Sequence, residues 1–272
     1  MTVTPLLITA GALMLLFSGI ICWLSLSFTN PKWQQAASAG IYAAAALMAF
    51  ALCLRWHWYW ETMETTLLKA FPVVTFYETA VFGVLIISLL TAGLNGIDRK
   101  LKSVILIGFG SLILGLPLLN VKSDAVLFLP SLKSGWLTAH VALSFTAYAM
   151  YALAAVIGCA YLAGHRKEAH LQQIRILINN ATLIFTIGGL IFGAIWAETS
   201  WGRFWAWDPK ETWAFITWAY YLAWLHLDYR RGLPPKGIAF GAAAGFLVVL
   251  FTYVGVNLWF AGLHSYAVMK QL

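Results

Sequence analysis

The chain has 272 residues, of which 61% are hydrophobic and only 10% charged, with a formal net charge of +7. Soluble domains carry about 25% charged residues, so a water-soluble globular protein is excluded. The basic residues gather in short clusters between apolar runs, a pattern that fits a membrane surface and gives no reason to invoke nucleic acid.

Eight apolar runs follow in chain order, at roughly 6–28, 37–54, 74–95, 103–119, 135–163, 175–196, 212–228 and 237–262. Strict polar–apolar alternation is absent, which excludes a membrane β-barrel. Lipid offers no partner to an open backbone, so the runs are predicted to be helices. The second and fourth are short for a span of ~20 residues. The first lacks a basic leader and a small-residue cleavage site, and "TNPKW" follows it, so it reads as a retained helix. The expected fold is all-α: a polytopic integral membrane protein of about eight transmembrane helices, residues 1–272 forming a single membrane domain.

Eight spans sort the connections into two alternating sets. One holds Lys32, Arg99, Lys100, Lys102, Arg166, Lys167, Arg175, Arg230, Arg231 and Lys236; the other holds Arg55, Lys69, Lys122, Lys133, Arg203, Lys210 and Lys270. The dense clusters belong to the first set, which the positive-inside rule makes cytoplasmic. Both termini are then expected outside. Cys22, Cys53 and Cys159 all lie in apolar runs. The absence of CxxC argues against a thiol–disulfide oxidoreductase acting alone, and the absence of CxxCH against a haem covalently attached to this chain.

The six histidines separate by depth. His140 lies one to two turns into the fifth run and His264 just after the eighth, both at the outer face. His57 sits in the second outer connection, in "RWHWYW". His226 lies near the inner end of the seventh run, and His165 and His170 in a cytoplasmic connection among charges. The last two are expected to be solvated loop residues. His57 fits an aromatic belt at the interface. A histidine inside a span is costly, and either a hydrogen bond to a neighbouring helix or ligation accounts for it.

Between His140 and His264 in sequence comes "WGRFWAWDPKETWAFITW", Trp201 to Trp218, with five of the chain's 14 tryptophans. A membrane aromatic belt would scatter tryptophans over several helix ends; a flat surface for a flat ligand would gather them. Asp208 suits an N-cap, Pro209 the first helical position, and Glu211 the third residue of a capping box. A helix is therefore predicted to start at Pro209, with Trp201, Trp205 and Trp207 in the loop before it and Trp213 on it. Two imidazoles brought to one surface suit haem iron, whereas zinc would want further ligands. Indole faces stack on a porphyrin plane, and Arg203 or indole N–H groups could meet its propionates.

This segment resembles the WWD signature of cytochrome c assembly proteins, in the "WDPKETW" form of the CcsA (ResC) branch. "LPSLKSGWLTAHV" and "GVNLWFAGLHSY" are similar to the family stretches that carry two external haem-ligating histidines. "FPVVTFYET" resembles the family's F-P-x-x-N-x-Y-E-S, with Thr75 for Asn and Thr79 for Ser. The resemblance runs from about Phe71 to the C-terminus. It implies a haem lyase (cytochrome c synthase) of the System II route, working with a CcsB (ResB) membrane partner. Such a protein moves haem b, both bound ligand and substrate, outward and attaches it to the CxxCH of an apocytochrome c.

The implied iron ligands are His140, His264 and the inner His226. The implied haem-binding surface is the segment 196–218, with Trp201, Arg203, Trp205, Trp207, Asp208 and Trp213. Asp208 and Glu211 are candidate acids as well as capping residues. The implied location is a bacterial cytoplasmic membrane or a thylakoid, with the WWD loop on the periplasmic or lumenal side. A haem exporter without ligation activity and a b-type haem electron-transfer subunit remain the alternatives.

Overall fold

A computed structural model describes residues 3–27, 31–94, 97–119, 121–124 and 130–264, and among them there is no β-strand. The fold divides into two compact units, Met1–Phe128 and Leu129–Leu272. Among the described residues, seven helices are long and apolar enough to cross a membrane, and the chain is an all-α integral membrane protein. The seventh predicted run, 212–228, corresponds to a helix at Pro209–Arg231, whose acids, bases and tyrosines keep its mean hydropathy below that of the others.

The first unit contains α1 (Val3–Leu24), α2 (Pro31–Met63), α3 (Phe76–Gly93) and α4 (Arg99–Gly115). Its core is aliphatic, with Ile8, Leu15, Met48, Val81 and Leu106 all buried. α1 and α4 approach closely because Gly110 has no side chain; a Cβ there would lie 3.0 Å from the Ala12 carbonyl oxygen. α2 runs well beyond the predicted 37–54, since no proline or glycine interrupts "LCLRWHWYWETM". His57 is therefore on a helix and not in a connection, exposed and 3.3 Å from Glu61 one turn on.

Arg55, expected among the outer loop charges, is instead buried within α2. Its Nε donates to Glu78 Oε1 at 2.5 Å, and the Tyr59 hydroxyl donates to the same oxygen at 2.7 Å. Glu78 Oε2 accepts the backbone N–H groups of Val74 and Thr75, while the Thr75 hydroxyl accepts from Glu78 N. Thr75 thus closes a full capping box on α3. Thr does the capping work at the position where the family pattern has Asn.

The second unit contains α5 (Gly135–Leu162), then a continuous rod of α6 (Glu168–Phe185), a π-helical segment (Thr186–Phe192) and α7 (Gly193–Trp201). α8 (Pro209–Arg231) follows. The last rod is α9 (Pro235–Leu250), a second π segment (Phe251–Gly255) and α10 (Val256–Trp259). Tyr151 and Tyr221 stack at 3.7 Å between α5 and α8, and Tyr151 bonds the Thr182 hydroxyl at 3.0 Å. His170, expected as a solvated loop residue, is buried in the first turn of α6, its Nδ1 3.0 Å from the His165 carbonyl oxygen. Its place on an amphipathic helix start, beside buried Leu171 and Ile174, overrides the charged neighbours that suggested solvent.

The up-and-down order puts the start of α5, the end of α7, the start of α8 and the end of α10 at one end of this unit. At the other end Arg175 of α6 clasps Asp228 of α8 through two bonds of 2.8 and 3.1 Å.

Candidate functional site

α7 ends where Gly202 takes a left-handed conformation (φ 73°). Trp201 is thus the last residue of a helix and not part of the loop, as the sequence suggested. The loop proper is 202–208. Trp207 has φ 56°, a strained state for a bulky side chain. Glu211 holds the loop there: its Oε2 accepts from Ala206 N at 2.6 Å and Asp208 N at 3.3 Å. Asp208 Oδ1 accepts from Glu211 N at 3.1 Å, completing the capping box at the start of α8 with Pro209 in the first turn. Both acids are buried.

Asp208 does a second job. His264 Nδ1 donates to the same Oδ1 at 3.1 Å. Burial works to raise the Asp208 pKa, but the hydrogen bonds from His264 and from the backbone N–H groups of Glu211 and Lys210 outweigh it and bring it down to about 2. Gly262 permits this approach, since a Cβ there would lie 2.6 Å from Asp208 Oδ2.

On the facing side, His140 of α5 places Nδ1 2.8 Å from the Gly188 carbonyl oxygen. Gly188 lies in the π segment, whose widened turn leaves carbonyls available, a feature frequent at functional sites. Gly193 makes room for the ring: a Cβ there would meet His140 Cε1 and Nδ1 at 2.9 Å. In both histidines Nδ1 is therefore engaged by an acceptor, which makes it the protonated nitrogen and leaves Nε2 as the free lone pair. Metal-binding histidines are commonly held this way, their other ring N–H donating to a carboxylate or a backbone carbonyl.

Trp196 joins the two. Its ring stands parallel to His140 at 6.2 Å and tilted against His264 at 5.5 Å, it is 1% exposed, and its indole N–H donates to the Ser131 carbonyl. Trp201 packs edge-on against both Trp196 and His264. Sequence reading included Trp196 in the segment but gave it no role. Its position five residues before Trp201 on one helix was the available signal.

The remaining expected residues divide. Trp205 packs on Trp207, which is largely exposed, and Arg203 is exposed in the same loop. Trp213 turns toward Phe251 of the second π segment, at 4.1 Å. His226 is not part of this end. It is exposed on α8, 18 residues beyond Asp208, or about 27 Å along the helix axis.

Four buried polar atoms of the segment have no partner among the described residues: Trp201 Nε1, Trp205 Nε1, Asp208 Oδ2 and Glu211 Oε1. Buried polar groups are ordinarily satisfied, so this set marks a place that a ligand or water completes. Lys210 lies beside it, Nζ donating to Asn257 Oδ1 at 2.6 Å. Burial brings its pKa down to about 8, against the pull of Asp208. Lys210, Asn257, Asp208 and His264 line one small cleft.

The chain is similar to known proteins along most of its length. The family model described as cytochrome c assembly protein matches residues 9–264. The chain is 38% identical to the cytochrome c biogenesis protein CcsA of Chlamydomonas reinhardtii over 148 residues, covering 50% of this chain and 42% of that protein. It is 34% identical to CcsA of Prochlorococcus marinus (strain MIT 9312) over 172 residues, 50% of this chain and 55% of that one. The chain thus spans about half the length of these curated relatives. CcsA of the NATL2A strain aligns at 30% identity over 86% of this chain and 88% of its own. The solved cytochrome c haem lyase CcmF shares the fold, with a TM-score of 0.67 at 18% identity, covering 99% of this chain and 48% of that one. With the family pattern spanning nearly the whole chain and CcsA proteins aligned along it, this protein belongs to the cytochrome c assembly protein family, in its CcsA group.

Proposed function

We propose that this protein holds haem at the His140–His264 end of its second unit, on the non-cytoplasmic side of the membrane. There it promotes covalent attachment of the haem to the CxxCH thiols of an apocytochrome c. One observation carries the reading: two histidines far apart in the sequence meet at Trp196, each with Nδ1 engaged and Nε2 left for iron.

The donor set fits haem. Two neutral imidazoles suit bis-His iron ligation. The unpartnered indole N–H groups of Trp201 and Trp205 and the exposed guanidinium of Arg203 are donors for propionates. Trp207 and Trp213 supply further ring surface. Haem, as substrate, supplies the vinyl groups, and the apocytochrome supplies the thiols, so no nucleophile of this chain is needed. The chain's contribution is proximity and orientation. Asp208 and Glu211 each spend one oxygen on capping and on holding a neighbour, which favours a positioning role over an acid role for both.

His226 serves a different step. A histidine exposed on a helix of a membrane protein is costly unless a partner covers it. We assign it as an inner ligand shared with a CcsB-type subunit, through which haem b is loaded before it reaches His140 and His264.

The test is coexpression with a CcsB-type partner and an apocytochrome c. Covalent haem in the cytochrome, lost in His140→Ala and His264→Ala and partly restored by added imidazole, is the expected result. Haem bound to the chain with no transfer to the cytochrome would point to an exporter or an electron-transfer subunit. Normal maturation in both variants would overturn the ligand assignment.

A further inference from the structure

The start of α8 is clasped twice, once to the turn after the last rod and once to the rod itself. Asp208 Oδ1 holds His264, and two residues on Lys210 Nζ holds Asn257 Oδ1 at 2.6 Å. Asn257 is itself anchored, its Nδ2 donating to the Tyr253 carbonyl at 2.6 Å. Tyr253 lies in the second π segment. The amide is thus held at both ends, donor side to the backbone and acceptor side to the ammonium.

What this clasp prevents follows from the free groups around it. Lys210 and Asp208 share a cleft, and the carboxylate attracts the ammonium. Asp208 Oδ2 is buried without a partner, which leaves an open acceptor on an anion beside a cation. An ammonium–carboxylate bond is about twice as strong as a neutral one. Among the described residues, the bond to Asn257 is what holds the ammonium elsewhere. If Lys210 reached Oδ2 it would neutralise the carboxylate. The His264 Nδ1–H would then face a weaker acceptor, and Nε2 would become a poorer electron donor, since carboxylate partners raise the basicity of a ligating histidine.

We propose that Asn257 is a positioning residue that keeps the Lys210 ammonium off the Asp208 carboxylate, reserving that carboxylate for His264. The inference rests on the reading of His264 as an iron ligand, and it adds a control on that ligand's strength.

The experiment uses the full chain coexpressed with its partner subunit. It measures haem per molecule of membrane-inserted protein, the optical spectrum, and the midpoint potential of the bound haem. Asn257→Leu should lose about tenfold in retained haem, the lower end of the range for removing an outer-shell partner, and raise the potential. The double variant Asn257→Leu/Lys210→Met removes the competing cation and should recover haem content to within about threefold of wild type. A merely structural Asn257 would not be rescued by a second substitution, so loss without recovery overturns the proposal. So does an Asn257→Leu protein with wild-type haem and potential. His264→Ala is the reference. If it leaves the spectrum unchanged, the ligand reading itself fails, and that failure is visible separately from the behaviour of Asn257.

Discussion

Asp208 Oδ1 accepts from two groups at the same distance, 3.1 Å: the backbone N–H of Glu211 and Nδ1 of His264. One oxygen therefore starts helix α8 and orients a histidine 56 residues further along the chain. The cap of α8 and the hydrogen-bond partner of His264 are the same atom, so the start of the helix sets where the imidazole is held.

Asp208→Asn separates the two roles. Asn caps as well as Asp, and its carbonyl can still accept from Nδ1, but the charge is gone. Protein in the membrane should stay at the wild-type level while retained haem falls about ten- to hundredfold. Quantifying both on the same preparation checks this; equal losses of protein and haem would mean that the cap mattered and the charge did not.

Gly193→Ala should behave as a mild His140 variant. Alanine favours the helix by about 1 kcal/mol over glycine, which offsets part of the about 1–3 kcal/mol cost of overpacking where the new methyl would meet the His140 ring at 2.9 Å. Thermal stability in detergent should hold or fall slightly while haem at this end falls at least about tenfold. Wild-type haem content in a stable Gly193→Ala protein would show that the ring position does not matter.

Glu78→Gln leaves Arg55 buried beside a neutral partner. Breaking a buried ion pair on one side costs about 3–5 kcal/mol, and Glu78 also carries Tyr59 and two backbone N–H groups. The membrane level and the unfolding temperature of the chain should both drop. The paired change Arg55→Met/Glu78→Leu should recover part of the loss, because no charge is then stranded.

His226→Ala tests loading. With His140, His264 and Trp196 untouched, the protein should insert normally and show reduced total haem, the site near Trp196 being sound but undersupplied. Full haem content and full cytochrome maturation in that variant would remove His226 from the route.

The sequence by itself determined the helical membrane fold, because 61% apolar composition leaves the backbone no partners but its own. It also determined the start of α8. Asp208, Pro209 and Glu211 act within one turn, and a capping box is local chemistry. The apolar runs located His140 and His226 along their helices and His264 just past the last one, since depth in a run follows from counting residues. What it left open lay across the chain. Arg55 read as a loop charge until Glu78 was found 23 residues away to neutralise it, and His170 read as solvated until the fold buried it.

Tertiary structure alone decided that Trp196 touches both His140 and His264, and that a π turn delivers the Gly188 carbonyl to one ring while Asp208 meets the other. It also decided that Lys210 is held by Asn257. The physical reason is common to all three. Each contact depends on the rotation and lengthwise register of one packed rod against another, and a π segment shifts both by an amount that no residue pattern encodes.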